Sequence, residues 1–291
     1  MKVKFEGLEA RYINLLTDFG FHKIFGTESN KDLLIDFLNQ IVKEEGLIVD
    51  VKYLNPEQLG DFETDRRAIF DIFCITEKEE YFIVEMQKAS QAFFRDRSIY
   101  YASLPIQKQA LKGDWNFRLN TVYFVAVLDF ILFDEFEEDK EYVVEHVYLT
   151  RERTKTLYSD KLKFAFVELP KFRKTEEELE THFDIWLYLL KNLPKLKSRP
   201  TAAEGKIFEK LFKLAEVKRL KEKEMETYKK SITDYHDVRL CMDYALEKGR
   251  EEGKILVIQK CLQKNMPIED IIFITGFSKE QINLYMENGA Q

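Results

Sequence analysis

Two acids stand inside apolar runs of this chain, Asp71 in Ala68-Ile-Phe-Asp71-Ile-Phe-Cys-Ile75 and Glu85 in Tyr81-Phe-Ile-Val-Glu85-Met86. Burying an ionised carboxylate costs several kcal/mol unless a cation or a hydrogen-bond donor compensates it. Side chains alternate along a strand, so Glu85 and Gln87 share a face with Met86 opposite. If Asp71 faces that side too, one sheet edge presents two carboxylates and an amide around a small volume. Such an oxygen-rich setting suits a hard divalent cation, Mg²⁺ first and Mn²⁺ as a substitute. The same acids also fit two strand carboxylates turned to solvent. Gln87 neither titrates near neutrality nor carries charge, which leaves it water orientation or ligation through its amide oxygen.

The elements that must position these residues are legible around them. Thr76-Glu-Lys-Glu-Glu80 separates the two apolar runs, which predicts a hairpin of largely buried strands. Thr121 to Leu132 is nearly continuous in apolar residues and reads as a central strand covered on both faces. Further strands are expected at 47–54, 142–149 and 162–169. Asp18 is a candidate cap for a helix carrying Phe21, Ile24 and Phe25, and Leu33, Leu34, Phe37, Leu38 and Ile41 recur at helical spacing after it. Ser90 to Lys112 reads as a further helix, bent at Pro105.

With these elements in place a resemblance emerges. Asp71 followed by Glu85-Met-Gln87 resembles the PD-(D/E)XK nuclease pattern, in the variant carrying Gln where most members carry Lys. Thr17-Asp-Phe-Gly-Phe-His-Lys-Ile-Phe25, Asn30-Lys-Asp-Leu-Leu-Ile-Asp-Phe-Leu-Asn39 and Phe94-Arg-Asp-Arg97 with Tyr100-Tyr101 are similar to the recombination-promoting nuclease (Rpn-like) transposase branch. The likeness is good over roughly 15–135 and loose beyond. It implies an α/β, restriction-endonuclease-like core with a mixed central sheet, and Mg²⁺-dependent hydrolysis of DNA linked to recombination or mobile elements in bacteria. Asp71 and Glu85 would then be metal ligands, and Gln87 the third catalytic residue. Asp18 matches an acid of the family's opening helix and, where it is not a cap, reaches toward the metal. Lys23 is either a phosphate contact or a solvated lysine. Arg97 and Tyr101, four apart on one helix face, either steady DNA phosphates or orient an acid, with Gln91 a weaker accessory. A catalytically impaired nuclease fold that binds DNA or acts as a scaffold, and a nuclease effector of phage defence, stand as alternatives.

Bulk properties limit the remaining classes. At 291 residues and a net charge of −7, the chain holds one sizeable core with an appendage. Acidity argues against a general nucleic-acid binder, yet residues 191–230 carry thirteen Lys and Arg against six Glu. Lys195, Lys197, Arg199 and Lys206 are therefore candidate DNA-backbone contacts, and a solvated helix face explains such a run equally. Pro194 and Pro200 bracket a linker, which places a core at 1–194 and a charged helical extension at 195–291. The extension ends in two short helices around Gly276-Phe-Ser278, compatible with a helix-turn-helix-like unit or an oligomer contact. Cys74, Cys241 and Cys261 form no CxxC, and a reducing cytoplasm is the simple compartment. Neither an apolar leader nor a membrane span is expected.

Overall fold

A computed structural model describes residues 9–42, 46–55, 70–110 and 116–288. Its centre is a six-stranded mixed sheet of β1 (Val51–Tyr53), β2 (Ile72–Thr76), β3 (Tyr81–Gln87), β4 (Val122–Leu128), β5 (Val144–Thr150) and β6 (Leu157–Glu168). The spatial order is β1-β2-β3-β4-β6-β5. The β1-β2, β2-β3 and β5-β6 pairs are antiparallel, and β3, β4 and β6 run parallel. All seven residues of β4 are buried, as its unbroken apolar run requires.

Period-two alternation divides the buried side chains between the faces. Phe82, Val84 and Met86 join a large core with α1 (Asp18–Phe25), α2 (Lys31–Ile41), α4 (His182–Asn192) and α5 (Lys206–Ala215). Its aromatic centre is Phe25, Phe37, Trp186 and Phe208, with Trp186 lying 5.3–5.6 Å from the other three rings. On the opposite face Phe73, Ile83, Phe124 and Phe166 pack with Phe94 and Ala102 of α3 (Phe94–Lys108). Glu168, at the end of β6, is fully buried. It accepts from the Leu132 and Phe133 amides and from Lys171 Nζ at 2.6 Å, pinning the chain that follows β4.

Several local expectations shift. Thr17, not Asp18, caps α1, its hydroxyl accepting from the Gly20 amide at 3.0 Å. The strand expected at 47–54 shortens to Val51–Tyr53, with Leu47 and Val49 exposed. Helix α3 starts at Phe94 and carries Pro105 within it. Ala68 and Ile69 of the expected hairpin lie outside the described residues.

Two compact units divide the chain, Met1–His236 and Asp237–Gln291. Residues 195–236, which the Pro194–Pro200 linker and the charge of the stretch assign to an extension, supply Phe208, Leu211, Phe212, Tyr228 and Ile232 to the large core. A charged face turned to solvent hides this apolar stripe when composition is averaged. The second unit contains the distal part of α6 (Glu222–Gln263), α7 (Ile268–Thr275) and α8 (Lys279–Asn288). Ile258, Cys261, Ile271 and Ile282 form its small core, and Gly276 at φ +72° makes the left-handed turn between the two short helices. The three cysteines are free thiols. Among the described residues no helix is long and apolar enough to cross a membrane.

Candidate active site

The β2-β3 register pairs Ile72 with Val84 and Phe73 with Ile83. One more step sets Asp71 across from Glu85, on the face that carries Phe73, Ile83 and α3. The carboxylate of Asp71 is fixed there by the Met86 amide, which donates to Oδ2 at 2.6 Å. Glu85 is 6 % exposed, and its Oε1 is buried with no hydrogen-bond partner. A buried carboxylate oxygen left unmatched is costly in any fold, so this oxygen faces a volume that protein atoms do not satisfy.

The electrostatics follow from that placement. Burial raises the Asp71 carboxyl to about 6, aided by the negative charge of Asp18 and opposed by the Met86 amide, Lys88 and Arg97. Burial, and then the charge of Asp71, lift the Glu85 carboxyl well above the usual range, with Arg97 pulling it back. Two like charges this close resist joint ionisation. The pair therefore gives up its protons at higher pH than two isolated carboxyls do.

Around the pair sits a ring of neutral and cationic groups. Gln87 shares the face of Glu85; its Nε2 donates to the Ala89 carbonyl at 3.1 Å and its Oε1 accepts from Arg97 Nη2 at 2.5 Å. Arg97 Nη1 donates to Gln91 Oε1. The guanidinium lies 5.0 Å from the ring centroid of Phe94 and 5.7 Å from that of Tyr101. Arg97 Nε is buried and unmatched. The Tyr101 phenol is raised by burial and then by the charge of Glu85, and its ring packs edge-on against Phe70 at 5.0 Å. Arg97 and Tyr101 thus share the site, with the guanidinium bound to two side-chain amides and to neither acid.

Lys88 also belongs to this site, although an unbroken strand would turn it to the face opposite Glu85 and Gln87. Strand β3 ends at Gln87, which frees Lys88 from the pleat. Its side chain is 13 % exposed, and its ammonium pairs with Asp18 Oδ1 at 2.7 Å and lowers the Asp71 carboxyl. Asp18, whose side chain is 64 % exposed, enters as the partner of Lys88 and as a negative charge felt by Asp71. The cue in the sequence was the Lys-Ala-Ser stretch after Gln87, a poor continuation of a strand.

The other expected residues lie apart from the pair. Lys23 binds Glu224 at 2.7 Å and lies 5.8 Å from the Phe19 ring centroid, so it ties α1 to α6. Lys195, Lys197, Arg199 and Lys206 are exposed, and none bonds to Asp71, Glu85 or Gln87. The Lys197 carbonyl accepts from Arg11 at 2.7 Å. Among the described residues no group of three or more His, Cys, Asp or Glu gathers as a metal cluster. Two carboxylates still fit a small hard cation, because Mg²⁺ is commonly held through one or two of them while it keeps several waters. The unmatched Glu85 Oε1 beside Asp71 is the donor such an ion needs.

Residues 15–245 match the family described as PD-(D/E)XK nuclease family transposase. No curated protein and no solved structure matches the chain.

Proposed function

Because the chain belongs to the PD-(D/E)XK nuclease family transposases, we propose that it hydrolyses DNA phosphodiester bonds with a divalent ion, Mg²⁺ or Mn²⁺, held by Asp71 and Glu85. Nucleases of this kind generally use divalent metal ions, and the transposase family links the chain to mobile elements. The single observation that supports the site is the buried, unmatched Glu85 Oε1 set across from Asp71. When bound, the ion supplies Lewis-acid activation of the phosphate and of the attacking water.

The protein's own groups divide the remaining work. Asp71 Oδ2 is held by the Met86 amide, which fixes the carboxylate that would hold the ion together with Glu85. Glu85 offers Oε1 from a fixed strand position, so the donors are arranged before the ion arrives. Gln87 cannot accept a proton, and both ends of its amide are engaged by Ala89 and Arg97. Its role is therefore positional: it anchors Arg97 beside the acids, where the guanidinium favours their ionised forms. Gln91 and Tyr101 hold the other sides of that guanidinium. Lys88, exchanging the exposed Asp18 for a phosphate oxygen, is the cation offered to the scissile group.

Nicking of supercoiled plasmid tests this reading. The wild-type protein should nick in Mg²⁺ or Mn²⁺ and not in EDTA, and Asp71→Asn and Glu85→Gln should each abolish nicking while the fold persists. A second reading, a nuclease fold that binds DNA without cutting it, draws on the fully engaged Gln87 at the usual lysine position. DNA retention by a wild-type protein that nicks in neither ion would establish that reading in place of the first.

A further inference from the structure

A cleft of about 590 Å³ opens between the segment around Arg11 and helix α5. Six cations line it: Arg11, Arg199, Lys206, Lys210, Lys213 and Arg219. Its two acids, Glu209 and Glu216, do not balance them. Glu216 is already engaged by Arg11 at 3.3 Å, by Lys218 at 3.9 Å and by Arg219. Lys210 is engaged by Asp32 at 2.5 Å. Among the described residues no ion pair forms to Arg199, Lys206 or Lys213, so the surplus charge is concentrated on these three.

Their arrangement suits a chain of phosphates. Lys206, Lys210 and Lys213 follow one another at four and three residues along α5, opposite the buried Phe208, Leu211 and Ala215. Seven residues of helix span roughly 10 Å, about three phosphate intervals of one DNA strand at 3.4 Å each along the duplex axis. The floor is Tyr12 and Phe212, edge to face at 5.0 Å and both buried, which leaves no exposed ring face for a base to stack upon. Recognition here is by charge. Arg11 and Asp18, the residue paired with Lys88, are seven residues apart in sequence, so at most about 25 Å of extended chain separates the cleft from the edge of the acid site.

We propose that this cleft is a second DNA contact, holding the phosphodiester backbone of the substrate at a distance from Asp71 and Glu85. The proposal rests on DNA being the substrate, and its test is kept separate from cutting. The full chain, in EDTA, is titrated with a fluorescein-labelled duplex and followed by anisotropy across a NaCl series. The comparison is with the triple variant Arg199→Ala, Lys206→Ala and Lys213→Ala, whose fold is checked by its circular dichroism melt. Each backbone phosphate released changes the slope of log affinity against log salt by about 0.9. The triple variant should thus show a slope shallower by about 2.7. Between about 50 and about 200 mM salt the wild type should lose about 40-fold more affinity than the variant. An unchanged slope in the folded variant overturns the proposal, and so does a wild-type chain that binds no duplex. Competition by inorganic phosphate with duplex binding unaltered in the variant marks a small-anion site and also overturns it. Plasmid nicking reports separately: a wild type that shows the expected slope yet never nicks keeps the cleft and loses the nuclease.

Discussion

Replacing Asp71 by Asn should stabilise the metal-free protein at slightly alkaline pH. In the fold the Asp71 carboxyl titrates at about 6 instead of its ordinary 3.8, chiefly because it is buried. Between those values the folded chain binds more protons at this position than the unfolded chain does. Stability contributed by this group is therefore full below pH 3.8, falls as pH rises, and is lost above about 6. At about 1.4 kcal/mol per pKa unit the ceiling is about 3 kcal/mol. The Asn side chain can still accept from the Met86 amide through its oxygen, so little is lost in exchange. For a unit of this size each kcal/mol moves Tm by about 2–4 °C. Thermal melts of wild type and Asp71→Asn in EDTA should differ by up to about 10 °C at pH 8 in favour of the variant, and converge at pH 4. Adding Mn²⁺ at pH 8 should raise the wild type and leave the variant unmoved, because an ion that binds only the native site adds stability by mass action. A variant that melts below wild type by a constant margin at every pH refutes the buried-carboxylate argument.

Other positions carry their own expectations. Arg97→Met removes the donor from both Gln87 and Gln91 and should raise the two acid pKa values further, so the pH profile of nicking should shift to more alkaline values. An unshifted profile would mean that Arg97 does not act on the acids. Lys171→Met leaves Glu168 buried and uncompensated in charge, which should cost about 3–5 kcal/mol in urea unfolding. A loss below about 1 kcal/mol would show the pair to be dispensable. Phe208→Ala should cost about 3–5 kcal/mol, because its ring is fully buried 5.3 Å from Trp186. Near-neutral behaviour there would put α5 outside the core.

Much of the fold was legible because its signals are local. The apolar run of β4, the hairpin turn at Thr76–Glu80 and the three-and-four spacing of α2 each name their element without tertiary context. Glu85 and Gln87 share a face by the period of a strand alone, whereas the side that Asp71 takes depends on the register of the hairpin, which the structure supplies. What stayed hidden depends on where elements end and on what packs over them. Lys88 enters the site because β3 stops one residue earlier, and a strand end is set by neighbouring strands. That Arg97 binds Gln87 and not an acid depends on how α3 lies across the sheet, which helix spacing does not specify. The membership of 195–236 in the first unit was masked because Phe208, Leu211 and Phe212 are diluted by the lysines on the solvent side of the same helix.

The claim beneath all of this is that Asp71 and Glu85 together hold one divalent ion. Crystals soaked in Mn²⁺ and measured for anomalous scattering test it most directly. A peak within about 2–2.6 Å of a carboxylate oxygen from each residue is the predicted result. Anomalous density that ignores this pair, or a peak that persists in Glu85→Gln crystals, would contradict it.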